Sequence, residues 1–253
     1  MTSNAEDDVV PTPDPLEGIP PLITKQLTEE SDKVAALKLV ADSIAQQRQQ
    51  ASRAIIFHPL TLAAYILLLA VVSNFIYKTR SDLAIVATTS AGITMACLIA
   101  VRGLTGGYLS LAEEFNWKFA KNEDDEEDII IGSRYGEEIM GALILRLERN
   151  GNGSGKKKTK STKTGGKGVV RAWTVRVKYR GKGVGTELLE EAVRITREKL
   201  GNSAEIGFAA EHANSKMILP EIFNASFRKR EARAAKALEN VVESTDSGSK
   251  KKR

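Results

Sequence analysis

At 253 residues, 42% of them apolar, the chain is long enough to build one large core or two small ones. Its 37 basic against 32 acidic residues leave a formal charge of only +5, which gives no global case for nucleic-acid binding. The single cysteine, Cys97, excludes an internal disulfide and a cysteine-based zinc site, and with only His58 and His212 a metal hydrolase or Ser-His triad has little to draw on.

Residues 1–28 open with Pro11, Pro13, Pro15, Pro20 and Pro21 among acidic side chains, a composition that reads as a disordered tail. Over residues 29–53, Val34, Leu37, Val40 and Ile44 recur at helical spacing, so an amphipathic helix is expected, with Thr28 or Ser31 as its cap. Residues 54–102 hold two long uncharged runs, Ile55 to Tyr77 and Leu83 to Val101, joined by the polar turn Lys78 to Asp82. About 20 apolar residues carry a helix across a bilayer, so the pair reads as a transmembrane hairpin in contact with membrane lipid. A hairpin puts both flanks on one side. Arg48, Arg53 and Arg102 outside against Lys78 and Arg80 in the turn leave the orientation undecided by charge.

Residues 103–128 are expected to connect, with a short amphipathic helix from Tyr108 to Lys121 and a solvated acidic linker from Glu123 to Asp128. Ile129 to Ile131 and Ile139 to Leu147 are rich in strand formers and read as a β-hairpin turning at Tyr135 to Glu138. Residues 149–168, crowded with Gly, Ser, Thr and Lys, read as a flexible basic insertion. Its lysines 156–158, 160 and 163 would suit anionic lipid, whereas base stacking has no aromatic partner there, so nucleic acid is not expected as a partner. Then come a strand from Val169 to Val177, a glycine loop, a helix from Thr186 to Leu200 ending at Gly201, and a strand from about Ala204 to Ala210. That order is a βαβ unit with parallel strands. Residues 227–253 read as a charged helix and a basic tail ending Lys250-Lys251-Lys252-Arg253.

The loop Tyr179-Arg180-Gly181-Lys182-Gly183-Val184-Gly185-Thr186 lies where a strand gives way to a helix. Unpaired amides and aligned peptide dipoles at a helix N-terminus favour an anion, and the glycines let the main chain approach a phosphate closely. A dinucleotide fingerprint would need glycine at Thr186, and a P-loop is broken at Asn150 and Lys157.

These residues, Val175-x-Val177-x-Tyr179-Arg180-Gly181-Lys182-Gly183-Val184-Gly185 followed by Leu188-Leu189, resemble the acetyl-CoA motif R/Q-x-x-G-x-G/A of the GNAT (GCN5-related) N-acetyltransferases. The hairpin around Gly136 to Gly141 is similar to the second and third strands of that fold, and Asn214 matches an asparagine found where the next helix begins. An apolar hairpin ahead of such a domain also resembles the Camello-type and N-acetylaspartate-synthase-type membrane enzymes. The resemblance implies an α/β fold with a GNAT-like mixed sheet over residues 129–226, flanked by helices and preceded by the two-helix hairpin. It also implies acetyl-CoA as cofactor and an amine, on a small molecule or on a protein lysine or N-terminus, as acceptor. On this likeness the amides of Gly181, Lys182, Gly183, Val184, Gly185 and Thr186 hold the pyrophosphate, the main chain from Trp173 to Val175 pairs with the pantetheine, and Val177, Arg180 and Asn214 complete the cofactor-binding set.

Two departures bear on the chemistry. Ala209 stands where some members place a glutamate base, and Glu221 where a tyrosine often acts as acid. Glu211, His212 and Glu221 are the candidate catalytic residues nearby. A non-catalytic CoA-binding membrane scaffold is the alternative to an enzyme. The hairpin together with a cytosolic cofactor puts both termini in the cytosol, so the sequons at Asn152 and Asn224 would stay unmodified; the lysine-rich end resembles a dilysine retrieval signal, which with a cytosolic C-terminus implies endoplasmic reticulum residence.

Overall fold

The computed structural model describes residues 21–121, 125–149 and 165–250. Five strands form one sheet in the order β1 (Leu22–Gln26), β2 (Ile129–Tyr135), β3 (Glu138–Glu148), β4 (Lys167–Val175), β5 (Glu205–Phe208). The first four pair antiparallel and β5 runs parallel to β4. The mixed sheet and the βαβ unit are therefore as the sequence predicts. Helix α5 (Val184–Leu200) makes the crossover, with Leu188, Leu189, Ala192 and Val193 turned onto the sheet and fully buried. Gly201, at φ 95°, ends it where a side chain would be strained.

The amino-terminal region departs from expectation. Leu22–Gln26 is not part of a tail but an edge strand paired with β2 from Leu22↔Tyr135 to Gln26↔Ile131. Leu27 follows it into the core, 2% exposed, against Gly132, where a Cβ would stand 2.8 Å from the leucine side chain. Helix α1 (Glu30–Ile56) likewise belongs to the folded domain. Its Leu37, Leu39, Val40 and Ile44 pack with Ile130, Ala142, Ile144 and Ala172 on the sheet face opposite α5. The domain thus begins with β1 and α1, and the apolar hairpin interrupts it rather than preceding it.

The interruption starts at Pro59, whose ring disfavours helix at the residue before it. Helix α2 (Pro59–Ile76) is capped by His58, whose Nδ1 accepts from the Leu60 amide at 3.3 Å. Helix α3 (Leu83–Leu104) returns, and the two are tied by a 2.7 Å bond between Tyr65 Oη and Thr94 Oγ1. Neither helix buries a single residue. At the hairpin's foot Ser52 meets Thr105 at 3.2 Å, and Tyr108 of the short helix α4 (Gly107–Glu114) fills a cluster with Ala51, Ile55, Leu219 and Phe227.

Asp128 corrects the reading of a solvated acidic linker. It is 8% exposed and accepts from Arg146 at 2.8 Å and Arg171 at 2.7 Å, so a buried carboxylate closes the segment onto β3 and β4. Residues 122–124 of that acidic run, the lysines of residues 150–164 with the Asn152 sequon, the prolines of residues 1–20 and the basic end at residues 251–253 lie outside the described residues. After β5 the chain turns through residues 209–224 into one long helix, α6 (Ala225–Lys250), which packs Leu238 and Val241 against the α5 side of the sheet.

Candidate functional site

Strands β4 and β5 pair only from Lys167↔Glu205 to Val170↔Phe208. Opposite Ile144 and Leu145, β4 carries one extra residue, Arg171, a bulge that bends the strand just where the pairing with β5 ends. Two bonds, from the Ala209 amide to Val170 O at 2.9 Å and from the Ala213 amide to Arg171 O at 2.8 Å, hold the departing chain there. Beyond them the strands part. Arg176 N–H bonds to Met140 O at 2.8 Å. By the alternation of an antiparallel ladder, Trp173 and Val175 therefore turn their main-chain polar groups to the open side.

The opening is a cavity of about 560 Å³. One wall is Trp173, Thr174 and Val175, the other Phe208, Ala209 and Ala210; Gln47 of α1 and Arg230, Glu231 and Ala234 of α6 close it. At its mouth stands the glycine loop. Gly181 and Gly183 take φ of 75° and 88°, which a Cβ would strain, and open space surrounds both Cα positions. Gly183 O accepts from the Thr186 and Glu187 amides at 2.8 and 3.1 Å, so α5 starts at once behind the loop and presents its first-turn amides outward. Gly185 packs under Trp173, whose Nε1–H donates to Gly185 O at 3.1 Å.

Two guanidiniums face the cavity with neutral partners only. Arg180 donates through Nε to Val175 O at 2.8 Å and through Nη2 to Gln46 Oε1 at 3.4 Å, and Arg230 donates to Gln50 Oε1 at 3.0 Å. Burial pulls both below the ordinary arginine range, and for Arg230 the nearby Arg180 charge adds to it. A paired cation site without its own carboxylate suits an anionic ligand.

His212 lies between the two walls. Its Nδ1 accepts from the Asn214 amide at 3.3 Å, which assigns the neutral ring's proton to Nε2, 3.8 Å from Glu231 Oε1. Burial lowers its pKa, more than Glu231 raises it. Asn214 is anchored to α1, its side chain 3.3 Å from Ser43 Oγ and its carbonyl accepting from Gln47 Nε2 at 3.0 Å.

Of the residues singled out from the sequence, Trp173, Val175, Arg180, Gly181, Gly185, His212 and Asn214 line this cavity. Gly183 and Thr186 shape its rim. Val184 instead points into the core at 3% exposure. Lys182 lies 5.6 Å over the Tyr179 ring and Val177, 60% exposed, sits in a 3-10 turn, both off the cavity wall. Glu211 is exposed, and Glu221 pairs with Arg228 at 3.5 Å on the outer surface, so neither carboxylate reaches the cavity. Gln47, Arg230 and Glu231, which do line it, escaped the sequence reading: they sit on two charged helices whose inward face no local pattern marks.

Residues 103–218 match the family model described as the Acetyltransferase (GNAT) family, a little under half of the chain. Among solved structures the chain is similar to an aminoglycoside acetyltransferase from an uncultured soil metagenomic sample, in complex with sisomicin, at 7% identity and a TM-score of 0.37, covering 86% of this chain and 88% of that one. It is also similar to a Trypanosoma brucei acetyltransferase at 14% identity and a TM-score of 0.33, covering 75% and 84%. The sequence matches no curated protein.

Proposed function

We propose that this protein, whose residues 103–218 match the GNAT family model, is an N-acetyltransferase that moves an acetyl group from acetyl-CoA to an amine in the cavity between β4 and β5. The observation that carries the reading is the glycine loop itself. Gly181 and Gly183 at positive φ lead into the first turn of α5 beside a cavity lined by two guanidiniums without a carboxylate on them. Amides at the start of α5 would hold a diphosphate there, with Arg180 and Arg230 adding charge. The residues present fit the cofactor in that its long amide-bearing arm needs an open strand edge, and β4 offers one at Trp173 and at the N–H of Val175, whose carbonyl already accepts from Arg180.

Acetyl-CoA supplies the acetyl group as a thioester, activated for attack. Val175 N–H, on the open side of β4, would polarise the carbonyl under attack, the electrostatic stabilisation that acyl transfer needs. An amine attacks only after losing its proton. Glu231 is the one carboxylate among the lining residues described, and His212 Nε2 lies 3.8 Å from it, beyond hydrogen-bond distance. We assign the amine's proton to Glu231; as the new C–N bond forms, the thioester C–S bond would break, and coenzyme A would leave as a thiolate that takes up a proton to give the free thiol.

The same proposal puts the enzyme on a membrane. Helices α2 and α3, of 18 and 22 residues, would reach about 27 and 33 Å at the α-helical rise. Both are apolar enough to cross a membrane, and with no residue of either buried they leave an apolar surface for which a bilayer is the natural solvent. A hairpin returns the chain to its starting side, so the halves of the domain meet in the compartment that holds acetyl-CoA. The test is acetyl-CoA calorimetry on the detergent-solubilised protein combined with thiol release in the presence of a panel of amines. Binding with amine-dependent thiol release is expected. Binding without release under any amine would leave a CoA-binding scaffold, and absence of binding would end the assignment.

A further inference from the structure

A second groove, of about 720 Å³, runs between α1 and the end of α3; it adjoins the acetyl-transfer cavity at Gln46, which lines the groove and accepts from Arg180, but shares no lining residue with it. Arg48 and Arg102 line it together with the apolar Ile56, Leu98 and Val101, and Asp42 lies at its far end. Neither arginine has an ion pair or a side-chain hydrogen bond among the described residues, although Arg48 is half-buried. The 3.2 Å contact between Ser52 and Thr105 fixes the two walls against each other at the hairpin's foot.

The order of chemistry along the groove follows the order of a bilayer leaflet. Arg102 occupies the last turn of α3, and Leu98 lies one turn back, about 6 Å toward the centre of the hairpin. Leu98 is 44% exposed and continuous with the bare apolar surface of α3, including Ile99 at 65%. Asp42 stands six residues before Arg48, about 9 Å along α1 and away from the hairpin, so the two arginines leave a local positive charge at the level where apolar surface gives way to polar. Cations at that depth meet lipid phosphate, while the stems of arginine and the neighbouring aliphatic side chains cover acyl chain.

We propose that this groove binds one anionic phospholipid, its phosphate held by Arg48 and Arg102 and the start of its acyl chain laid against Leu98, Val101 and Ile56. This rests on the hairpin crossing a bilayer, as proposed above. The occupant is a lipid rather than a free phosphate because the apolar half of the groove has no use for a soluble anion.

The full-length protein, purified in mild detergent and offered phosphatidylglycerol or phosphatidylcholine, is examined by native mass spectrometry. In parallel, membranes from the expressing cells are extracted with alkaline carbonate. One phosphatidylglycerol retained in preference to phosphatidylcholine is expected, with Arg48→Ala/Arg102→Ala lowering retention about 30-fold, the loss of two basic side chains at an anionic surface. Arg48→Lys/Arg102→Lys should restore most of it, and acetyl-CoA binding in all variants should equal wild type, which shows that they fold. Equal retention of the two lipids, equal retention by the alanine variant, or displacement by inorganic phosphate as efficient as by lipid would each overturn the groove while leaving the hairpin standing. Release of the protein by carbonate would overturn the membrane reading and the groove with it.

Discussion

The indole Nε1–H of Trp173 donates to the carbonyl oxygen of Gly185 at 3.1 Å, and the same ring lies 3.0 Å from where a Cβ on Gly185 would stand. The bond ties the open edge of β4 to the first turn of α5, so the two halves of the proposed cofactor site move as one. Trp173→Phe should cost about 1 kcal/mol through the lost hydrogen bond. Gly185→Ala should cost about 1–3 kcal/mol by overpacking the ring. Each should raise the KM for acetyl-CoA. The double variant should cost less than the sum, because a smaller ring makes room for the methyl; a double-mutant cycle by thermal melting reads the difference. Strict additivity would show that the two residues are not coupled.

Glu231→Gln keeps the shape of the cavity and removes the carboxylate. Transfer should fall by about 10²–10⁴-fold, the range for general-base catalysis, with acetyl-CoA affinity unchanged by calorimetry. Comparable loss in Glu211→Gln or Glu221→Gln is not expected, since both carboxylates stand outside the cavity.

Burial lowers the His212 pKa below its ordinary 6.5, and Nδ1 is an acceptor for the Asn214 amide. Below pH 6.5 the unfolded chain takes up a proton there before the folded one does. The unfolded state then binds more protons, so stability falls as pH drops from 6.5 to the folded pKa and is flat above 6.5. Activity, a property of the folded protein, should hold through that window and fall only at lower pH, through the folded pKa itself, where a protonated Nδ1 can no longer accept from Asn214. Melting temperature and turnover measured between pH 5 and 8 check both, and His212→Asn should flatten the stability limb.

Asp128 carries the ion pairs to Arg146 and Arg171 at 3% side-chain exposure, with the arginines at 21% and 17%. Removing its charge leaves two partly buried guanidiniums uncompensated. Asp128→Asn should therefore destabilise by about 3 kcal/mol, read by urea denaturation, and Asp128→Ala by more. A loss within the ±0.5 kcal/mol of ordinary surface substitutions would mean that solvent already neutralises the cluster.

What the sequence made legible was local. Gly181 to Gly185 announce the loop because glycine spacing and a strand-to-helix change lie within a few residues, and Leu188, Leu189, Ala192 and Val193 mark the buried face of α5 by period alone. Pairing across a long separation left no such mark. Leu22–Gln26 follows a proline-rich stretch and meets its partner strand more than a hundred residues later, so nothing nearby identifies it as an edge strand. Helix α1 was readable as amphipathic, but the intervening hairpin hid which surface its apolar stripe covers. Asp128 sits at the end of an acidic run, and only the fold brings Arg146 and Arg171 to it. Glu231 and Arg230 belong to a helix charged on several sides, where tertiary contact alone selects the face toward the cavity.

The interrupted domain makes a prediction about truncation that the family match by itself would get wrong. That match begins at residue 103, which invites a soluble fragment starting just after the hairpin. Such a fragment lacks β1 and α1. It would expose Ile130, Ala142, Ile144 and Ala172, now covered by Leu37, Leu39, Val40 and Ile44, and would lose Gln47 and Ser43, which anchor Asn214. Four buried aliphatic side chains at about 1.5–3 kcal/mol each approach the whole stability of a domain. Residues 105–253 alone should therefore aggregate or fail to melt cooperatively. Co-expression with residues 21–57 should rescue folding and acetyl-CoA binding, because that segment supplies β1 and α1 without either apolar helix. Cooperative melting and full acetyl-CoA affinity in the isolated 105–253 fragment would show that β1 and α1 are accessories rather than part of the core.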